Sequence, residues 1–168
     1  IIAIHDTTLG PALGGCRMWN YKSEEEALID VLRLSKGMTY KAAIAGLKLG
    51  GGKSVIIGDS KKNKTTDLFE SFGDFVNSLN GKYITAEDVG TSEKDMEAVL
   101  RSTAHVTGVS KNLGGGGDPS PITAYGTYVG IKASANYKLN VSSLSGLKIV
   151  VQGVGSVGES LIAHLCND

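Results

Sequence analysis

Two lysines and an aspartate are the residues of this sequence whose types and surroundings suggest chemistry. Lys53 follows three glycines, Gly50-Gly51-Gly52, and Lys41 stands twelve positions before it. Clustered glycines next to patterned segments let the backbone approach a neighbour closely, which leaves an adjoining amine poorly solvated. If the chain between the lysines folds back, the two ammonium groups share a pocket, and repulsion together with burial lowers the pKa of at least one lysine. The spacing favours an amine that acts as a base near neutral pH; two solvated surface lysines are the alternative.

Asp88 follows a segment, residues 82–85, whose composition predicts a β-strand. The α/β folds collect their functional groups at the carboxyl ends of strands. A carboxylate in that place could shuttle protons or stabilise a cationic intermediate. Helix capping or a hydrogen bond within a loop is the competing role.

A Gly-Lys-Ser triplet, Gly52-Lys53-Ser54, resembles the end of a phosphate-binding loop. That pattern needs another glycine five positions before Gly52, where this chain has Leu47. A phosphate-binding loop also follows a strand and opens a helix, whereas here an apolar strand, residues 54–58, is predicted after the glycines. A P-loop nucleotide binder is therefore the least favoured function.

A second glycine motif, Gly153-x-Gly155-x-x-Gly158, comes after a strand predicted over 147–152 and opens a predicted helix. This is the context of a dinucleotide-binding turn, in which the first glycine makes the turn and the second admits a pyrophosphate. The third glycine lets helix and strand pack closely. The acidic residue that confirms such a motif comes about twenty positions later, beyond Asp168.

Strands and helices are predicted to alternate, which is typical of an α/β fold. Residues 1–5 form a strand that leads into a glycine-bounded loop. Ser23 and Glu26 form a capping box at the start of a helix that ends at Gly37. Further helices are predicted over 68–79, after Thr91 or Ser92, over 122–135 and after the last glycine motif. Glycine and proline concentrate in 114–119, which predicts a boundary between domains 1–117 and 118–168.

Composition and cysteine usage exclude several functions. Lys plus Arg equals Asp plus Glu at 17 each, so no basic excess indicates nucleic acid or a membrane surface as partner. Cys16 and Cys166 make neither a disulfide framework nor a zinc pair, and the three histidines lack ligand spacing. We therefore expect no metal site and a reducing, cytoplasmic setting. The missing initiator Met predicts that the chain begins inside a longer gene product.

Five segments in order make the sequence resemble the glutamate/leucine/phenylalanine/valine dehydrogenase family, most closely its members that act on leucine. They are residues 9–18, 37–41, 50–53, 85–91 and 118–126. They span nearly the whole chain, and the Gly-Gly-Gly-Lys segment is the most specific. The resemblance implies a substrate-binding and dimerisation α/β domain with a mixed sheet over 1–117. An interdomain helix and the beginning of a Rossmann dinucleotide-binding domain (first strand, glycine turn, partial helix) follow over 118–168.

The resemblance also implies roles for individual residues. Lys53 would be the catalytic lysine and Asp88 its partner acid/base, and Lys41 would pair with the substrate carboxylate. Gly14, Gly15 and Met38 would complete the carboxylate site, and Leu13 and Ala86 would line the side-chain pocket. Thr123 would contact the nicotinamide end of NAD, whose pyrophosphate would be held by Gly153, Val154, Gly155, Ser156, Val157, Gly158 and Glu159.

The implied activity is NAD-dependent oxidative deamination of leucine, valine or isoleucine to the 2-oxo acid and ammonium, by a homo-oligomer. Glutamate-specific relatives carry a lysine where this sequence has Leu13, and a buried carboxylate without a partner would be costly there. One methyl group is worth only about 1–3 kcal/mol of discrimination, so the choice among aliphatic substrates stays open, as does NAD versus NADP.

Two further expectations concern the chain as it stands. A chain that ends inside its dinucleotide-binding domain is not expected to turn over alone, because that domain cannot close over the substrate. A domain that senses an amino acid or a dinucleotide without catalysis is the main alternative function. The presence of Lys41, Lys53 and Asp88 together argues against it, since a sensor would not need all three.

Overall fold

Four strands form a mixed β-sheet in the first of two structural units. Strand β1 (Ile2–Asp6) lies at one edge and pairs antiparallel with β3 (Gly50–Ile57), which pairs in parallel with β2 (Ala12–Trp19). Strand β4 (Tyr83–Glu87) pairs in parallel with β2 at the other edge. The computed structural model covers residues 1–168 and divides into the units Ile1–Gly117 and Asp118–Asp168. The predicted α/β fold with a mixed sheet is confirmed.

Three helices cover this sheet. Helix α1 (Glu24–Ile44) packs on β3 and β1, while α2 (Thr66–Ser78) and α3 (Glu93–Leu100) pack on each other and on β4. At the start of α1 the Ser23 hydroxyl accepts a hydrogen bond from the Glu26 amide at 3.2 Å. The Glu26 carboxylate accepts one from the Lys22 amide at 2.7 Å, one residue before the predicted partner. The first bond satisfies an amide that the first turn of a helix leaves without a partner, and the second fixes the residue before the N-cap against the helix.

The side chains of β2 alternate between the two faces of the sheet, because successive residues of a strand point to opposite faces. This alternation determines which helix each side chain contacts. Cys16 and Met18 are buried in one core with Phe69 of α2 and Met96 of α3. The side chain between them, that of Arg17, therefore points to the other face of the sheet.

Helix α1 covers part of that other face. Val55 of β3, the register partner of Arg17, is buried together with Tyr21 and with Ala27 and Val31 of α1. Odd-numbered residues of β2 and β3 thus share one surface with α1. We call this surface the α1 face of the sheet.

Gly51 allows α1 to lie directly against β3. A Cβ atom at this position would overlap the backbone nitrogen and hydroxyl of Thr39 and the carbonyl of Ser35. A larger residue would push the helix off the sheet. The Thr39 hydroxyl also lies 2.9 Å from Nδ1 of His5, which ties the helix to β1.

Several predicted boundaries in this unit were wrong. The expected glycine-bounded loop after residue 5 contains β2, and Gly50, Gly51 and Gly52 are the first residues of β3 rather than a loop before it. Helix α1 continues past Gly37 to Ile44 and so includes Met38 and Lys41. Glycine is intrinsically unfavourable in strands and helices, but in β3 close packing against neighbouring elements requires it at Gly50, Gly51 and Gly52.

The unit Asp118–Asp168 contains two packed helices, α4 (Ser120–Leu139) and α5 (Ser156–Cys166), and α4 is longer than predicted. The first Rossmann strand, predicted over 147–152, is not formed. A strand exists through hydrogen bonds to a neighbour, and no strand lies beside this segment. None of the chain's helices has both the length and the apolar character that a bilayer crossing requires.

Candidate active site

Lys53 and Asp88 form an ion pair on the α1 face of the sheet. Lys53 is the fourth residue of β3, and Asp88 directly follows the end of β4, as the sequence predicted for a functional carboxylate. The Lys53 Nζ atom lies 3.1 Å from Oδ1 of Asp88, and Lys53 is only 4% exposed. A buried ammonium group is costly unless it is paired. Asp88 therefore makes the burial of this lysine tolerable.

Arg17 holds the second oxygen of Asp88. Its Nε donates to Oδ2 of Asp88 at 2.9 Å, and its Nη1 donates to Oδ2 of Asp30 on α1, also at 2.9 Å. The same Asp30 oxygen accepts a hydrogen bond from the Tyr21 hydroxyl at 2.6 Å. Charges of alternating sign thus connect β3, the end of β4, β2 and α1. Charge-assisted hydrogen bonds of this kind fix geometry as well as charge.

The pKa values of the pair follow from burial and from Arg17. Burial lowers the pKa of Lys53 and Arg17 lowers it further, although Asp88 acts in the opposite sense. Burial alone would raise the pKa of Asp88, but the Lys53 ammonium and the Arg17 guanidinium outweigh it, so this pKa lies below its usual value. Lys53 is consequently easier to deprotonate than an ordinary lysine, and Asp88 stays ionised. The cation that contacts Asp88 beside Lys53 is Arg17, and the predicted closeness of Lys41 to Lys53 stays a prediction.

Two glycines of β2 shape the surroundings of this pair. A Cβ atom on Gly15 would lie 2.5 Å from the carbonyl oxygen of Glu87 and 2.9 Å from Cβ of Asp88. The carbonyl of Gly14 accepts a hydrogen bond from the hydroxyl of the fully buried Tyr83. Gly15 therefore leaves the space that Asp88 occupies, and Tyr83 fixes the backbone beside it.

Leu13 and Ala86 lie on the same face as the ion pair. In the parallel pairing of β2 with β4, Leu13 is the register partner of Ile84, and Gly15 is the register partner of Ala86. Register partners on adjacent strands point to the same side. Leu13, Ile84 and Ala86 are half-buried and uncharged, so they form an apolar patch beside Lys53.

Met38 and Lys41 lie near the carboxyl end of α1, where Met38 is half-buried and Lys41 exposed. Lys41 comes eleven residues after Asp30, which is about three helical turns. The two side chains are therefore on the same flank of α1, the one that meets β2 through Arg17. Lys41 forms no salt bridge with a carboxylate of this chain, so its charge is available for a ligand.

The predicted cofactor residues lie in the second unit. Thr123 is exposed in the first turn of α4. Gly153 adopts a φ of +93°, and Gly155 is the N-cap of α5, which begins at Ser156 and includes Val157 and Glu159. A Cβ atom on Gly158 would overlap the carbonyl of Gly153. The free amides at the start of a helix form a suitable site for an anionic group such as a pyrophosphate.

Sequence reasoning missed three members of the network, Arg17, Asp30 and Tyr21. Arg17 lies 71 positions from Asp88 along the chain, so no local pattern joins them. Asp30 follows Ile29 on a helix whose charged residues are mostly solvated, and nothing in its spacing distinguishes it. No group of three or more His, Cys, Asp or Glu side chains is placed to hold a metal ion.

The known proteins to which this chain is similar are named as amino-acid dehydrogenases. Residues 1–105 match the family model described as Glu/Leu/Phe/Val dehydrogenase, dimerisation domain. Leucine dehydrogenase of Geobacillus stearothermophilus is 60% identical over 98% of this chain and 45% of its own length. Valine dehydrogenase of Streptomyces virginiae is 54% identical over 100% of this chain and 47% of its own length.

A solved structure shares the fold. The hetero-hexameric glutamate dehydrogenase of Thermus thermophilus, in a Leu-bound form, superposes with a TM-score of 0.81 at 26% identity. The superposition covers 99% of this chain and 42% of that chain. The present chain thus spans less than half the length of the relatives that it matches.

Proposed function

The chain belongs to the Glu/Leu/Phe/Val dehydrogenase family, and from this premise we propose that it is the substrate-binding part of a leucine dehydrogenase-like enzyme. The reaction is oxidative deamination of a branched-chain aliphatic L-amino acid to the 2-oxo acid and ammonium. The observation that carries the proposal is the buried pair Lys53–Asp88 beside an apolar patch. It combines an amine of lowered pKa with a carboxylate that remains ionised.

Substrate binding in this proposal uses the flank of α1 and the surface of β2. Lys41 pairs with the α-carboxylate, because it is an exposed cation of α1 on the same flank as Asp30. Gly14 and Gly15 let that carboxylate approach the backbone, and Met38 packs against it. Binding both ends of the substrate orients its Cα, and orientation accounts for a large part of enzymatic rate enhancement.

Lys53 and Asp88 perform the acid–base steps. After loss of hydride from Cα the substrate is an iminium, and a water molecule must add to its carbon. The neutral Lys53 amine accepts the proton that this water releases, and Asp88 stabilises the ammonium that results. The same pair then returns that proton to the amino group, which leaves as ammonia, and the hydroxyl proton of the collapsing intermediate passes through Lys53 to the ammonia, so that a carbonyl and an ammonium ion result. A low pKa of Lys53 increases the fraction of neutral amine near neutral pH, which is what this step needs.

The substrate side chain lies on the patch formed by Leu13 and Ala86. Neither residue can pair with a carboxylate, so a glutamate side chain would be buried there without a partner. Leucine, valine and isoleucine carry no such group. Their differences amount to single methyl groups, which an apolar pocket separates by about 1–3 kcal/mol.

The glycine turn of the second unit supports the cofactor part of the proposal. The glycine turn at 153–158 has the positive φ and the close helix approach that a pyrophosphate turn uses, at the amino end of α5. Gly153, Val154, Gly155, Ser156, Val157, Gly158 and Glu159 would hold the pyrophosphate, and Thr123 would contact the nicotinamide end. NAD supplies a hydride acceptor when it is bound. The proposal further comprises a cytoplasmic homo-oligomer assembled through residues 1–105, the part that matches a dimerisation domain.

The test uses the full-length gene product that contains this chain. Steady formation of NADH from leucine is expected, with glutamate a poor substrate. Lys53→Ala should abolish turnover while circular dichroism and the thermal midpoint show a retained fold. Binding of leucine without NADH formation by the unchanged protein would instead support a sensing domain, and turnover retained in Lys53→Ala would refute the role given to this lysine.

The substrate range has its own test. Leu13→Lys places an ammonium group on the apolar patch and should shift the ratio of kcat/KM from leucine towards glutamate. Ile57→Lys, at an exposed position at the far end of β3, is the matched control and should leave that ratio unchanged. An equal response of the two variants would show that Leu13 does not contact the substrate side chain.

A further inference from the structure

We propose that Arg17 is a positioning residue for the reaction, which, braced by Asp30, holds the Asp88 carboxylate against the Lys53 amine. This inference rests on the proposed function, because it assigns a role within the same site. Arg17 is placed to act through Asp88. Its guanidinium contacts neither the Lys53 amine nor the residues given to the substrate carboxylate.

The geometry of the guanidinium carries the argument. Two different nitrogens of Arg17 reach two carboxylates that belong to different elements, Asp88 after β4 and Asp30 on α1, each at 2.9 Å. A planar fork with fixed angles transmits the position of one carboxylate to the other, which a single ammonium group cannot do. The Tyr21 hydroxyl donates to the same Asp30 oxygen as Arg17 and so helps to fix the position of Asp30. The carboxylate of Asp88 is left with Oδ1 directed at Lys53.

The charge of Arg17 also acts on both members of the pair. The titratable groups around them are Lys53, Asp88 and Arg17 themselves, with Cys16 of β2 and Tyr83 of β4 behind the sheet. Burial raises the pKa values of the Cys16 thiol and the Tyr83 hydroxyl, so neither adds charge near neutral pH. Arg17 is therefore a nearby cation that opposes protonation of Lys53, in the same sense as the burial of this lysine.

A solvent-open cleft provides a matched control. Arg17 and Asp30 line it together with Trp19, Tyr21 and Arg33. Arg33 stands on α1 and makes no salt bridge, whereas Arg17 makes two. Arg33→Gln thus removes the same charge from the same cleft without touching Asp88.

Two measurements on the full-length protein distinguish the effect of Arg17 on the position of Asp88 from the effect of its charge on Lys53. The first is steady-state kinetics with leucine and NAD for Arg17→Lys, Arg17→Gln, Asp30→Asn and Arg33→Gln. The second is the pH dependence of acetylation of Lys53 by acetic anhydride, followed by mass spectrometry, which needs no turnover. Thermal midpoints of all variants report folding.

Arg17→Lys keeps the charge but loses the fork, so kcat should fall about 10- to 100-fold, as misplacement of a catalytic group by about 1 Å does. KM should stay within about threefold of wild type, since substrate contacts are unchanged. The acetylation midpoint of Lys53 should stay near that of wild type. Arg17→Gln should lower kcat at least as much and should also move the acetylation midpoint to higher pH, because the opposing cation is gone.

Asp30→Asn is included in case the Arg17 variants fail to fold. It leaves Arg17 bound to Asp88 and removes only the charge of Asp30 that holds Arg17 in place. It should lower kcat less than Arg17→Lys does, at a thermal midpoint close to that of wild type. Arg33→Gln should match wild type in both measurements. If Arg17→Gln matches Arg33→Gln in kcat and in the acetylation curve, the proposal is overturned. If the unchanged protein forms no NADH, the proposed function fails, and the acetylation curves still decide whether Arg17 controls Lys53.

Discussion

Gly15→Ala tests whether the spacing between β2 and the end of β4 sets the site. The added Cβ atom would lie 2.5 Å from the carbonyl oxygen of Glu87, whereas ordinary contact begins at 3.4 Å. The end of β4 must therefore move away by about 0.9 Å, the difference of these two distances, if β2 stays in place. The same atom would lie 2.9 Å from Cβ of Asp88, so Asp88 moves as well.

The consequence is a longer distance between Asp88 and Lys53. The present 3.1 Å between Oδ1 and Nζ would grow towards 4 Å, where an ion pair is at its limit. We expect kcat to fall by about 100-fold, because an error of 1 Å in a reacting group has that order of effect. Overpacking of this kind also lowers the free energy of unfolding by about 1–3 kcal/mol.

The assay compares Gly15→Ala with Gly37→Ala in the full-length protein. Gly37 is exposed within α1, and a Cβ atom there meets no other atom within 4 Å. That replacement should raise the free energy of unfolding by about 0.5–1 kcal/mol, since alanine favours a helix over glycine, and leave kcat unchanged. Urea unfolding gives the stabilities and NADH formation gives the rates. A Gly15→Ala variant that keeps kcat within threefold of wild type would refute the reasoning.

Three further outcomes follow from the same structure. Tyr83→Phe removes the hydrogen bond to the buried carbonyl of Gly14 and should lower the free energy of unfolding by about 1–3 kcal/mol, as read from urea unfolding. A thiol reagent should modify Cys166 at once and spare Cys16 until the protein unfolds, because Cys16 is buried with its pKa raised to about 11; equal rates would contradict this. The lowered pKa of Asp88 adds stability that is fully present above the ordinary carboxyl pKa and is lost as pH falls through the folded value. Acid unfolding between about pH 4 and pH 2 should therefore depend less steeply on pH in Asp88→Asn, and unchanged steepness would contradict the assignment.

Sequence patterns predicted the fold class and those helices and strands that carry a regular pattern of apolar residues. Helix α2 and the strand ending before Asp88 follow directly from alternation and periodicity. Strand β2 was missed because Gly14 and Gly15 interrupt its pattern, and both are required by neighbours that are distant in sequence. The end of α1 was missed for a different reason, since glycine often ends a helix but Gly37 lies on an exposed turn within it and contacts no distant residue.

The sequence predicted individual residues of the candidate site but not the contacts between them. Lys53 and Asp88 were predicted as candidate functional residues from their glycine and strand contexts. That they contact each other, and that Arg17 joins them, depends on the order of strands in the sheet, which places β2 between β3 and β4. The glycine context and the spacing of twelve residues favoured Lys41 as a cation near Lys53. Sheet topology adds Arg17, which no local pattern indicates.

The glycines and the charges of this site have a common physical cause. A lysine is buried at the centre of the sheet only if a carboxylate reaches it, and Asp88 reaches it only because Gly15 has no side chain in its path. A carboxylate bound to one ammonium alone would keep that amine protonated, which prevents its use as a base. Burial is the main cause that makes the Lys53 amine easier to deprotonate, and Arg17, which binds the other oxygen, keeps the carboxylate ionised and adds a second positive charge that lowers the pKa of Lys53 in the same sense. The glycines therefore permit the ion pair, and Arg17 adjusts it for proton transfer.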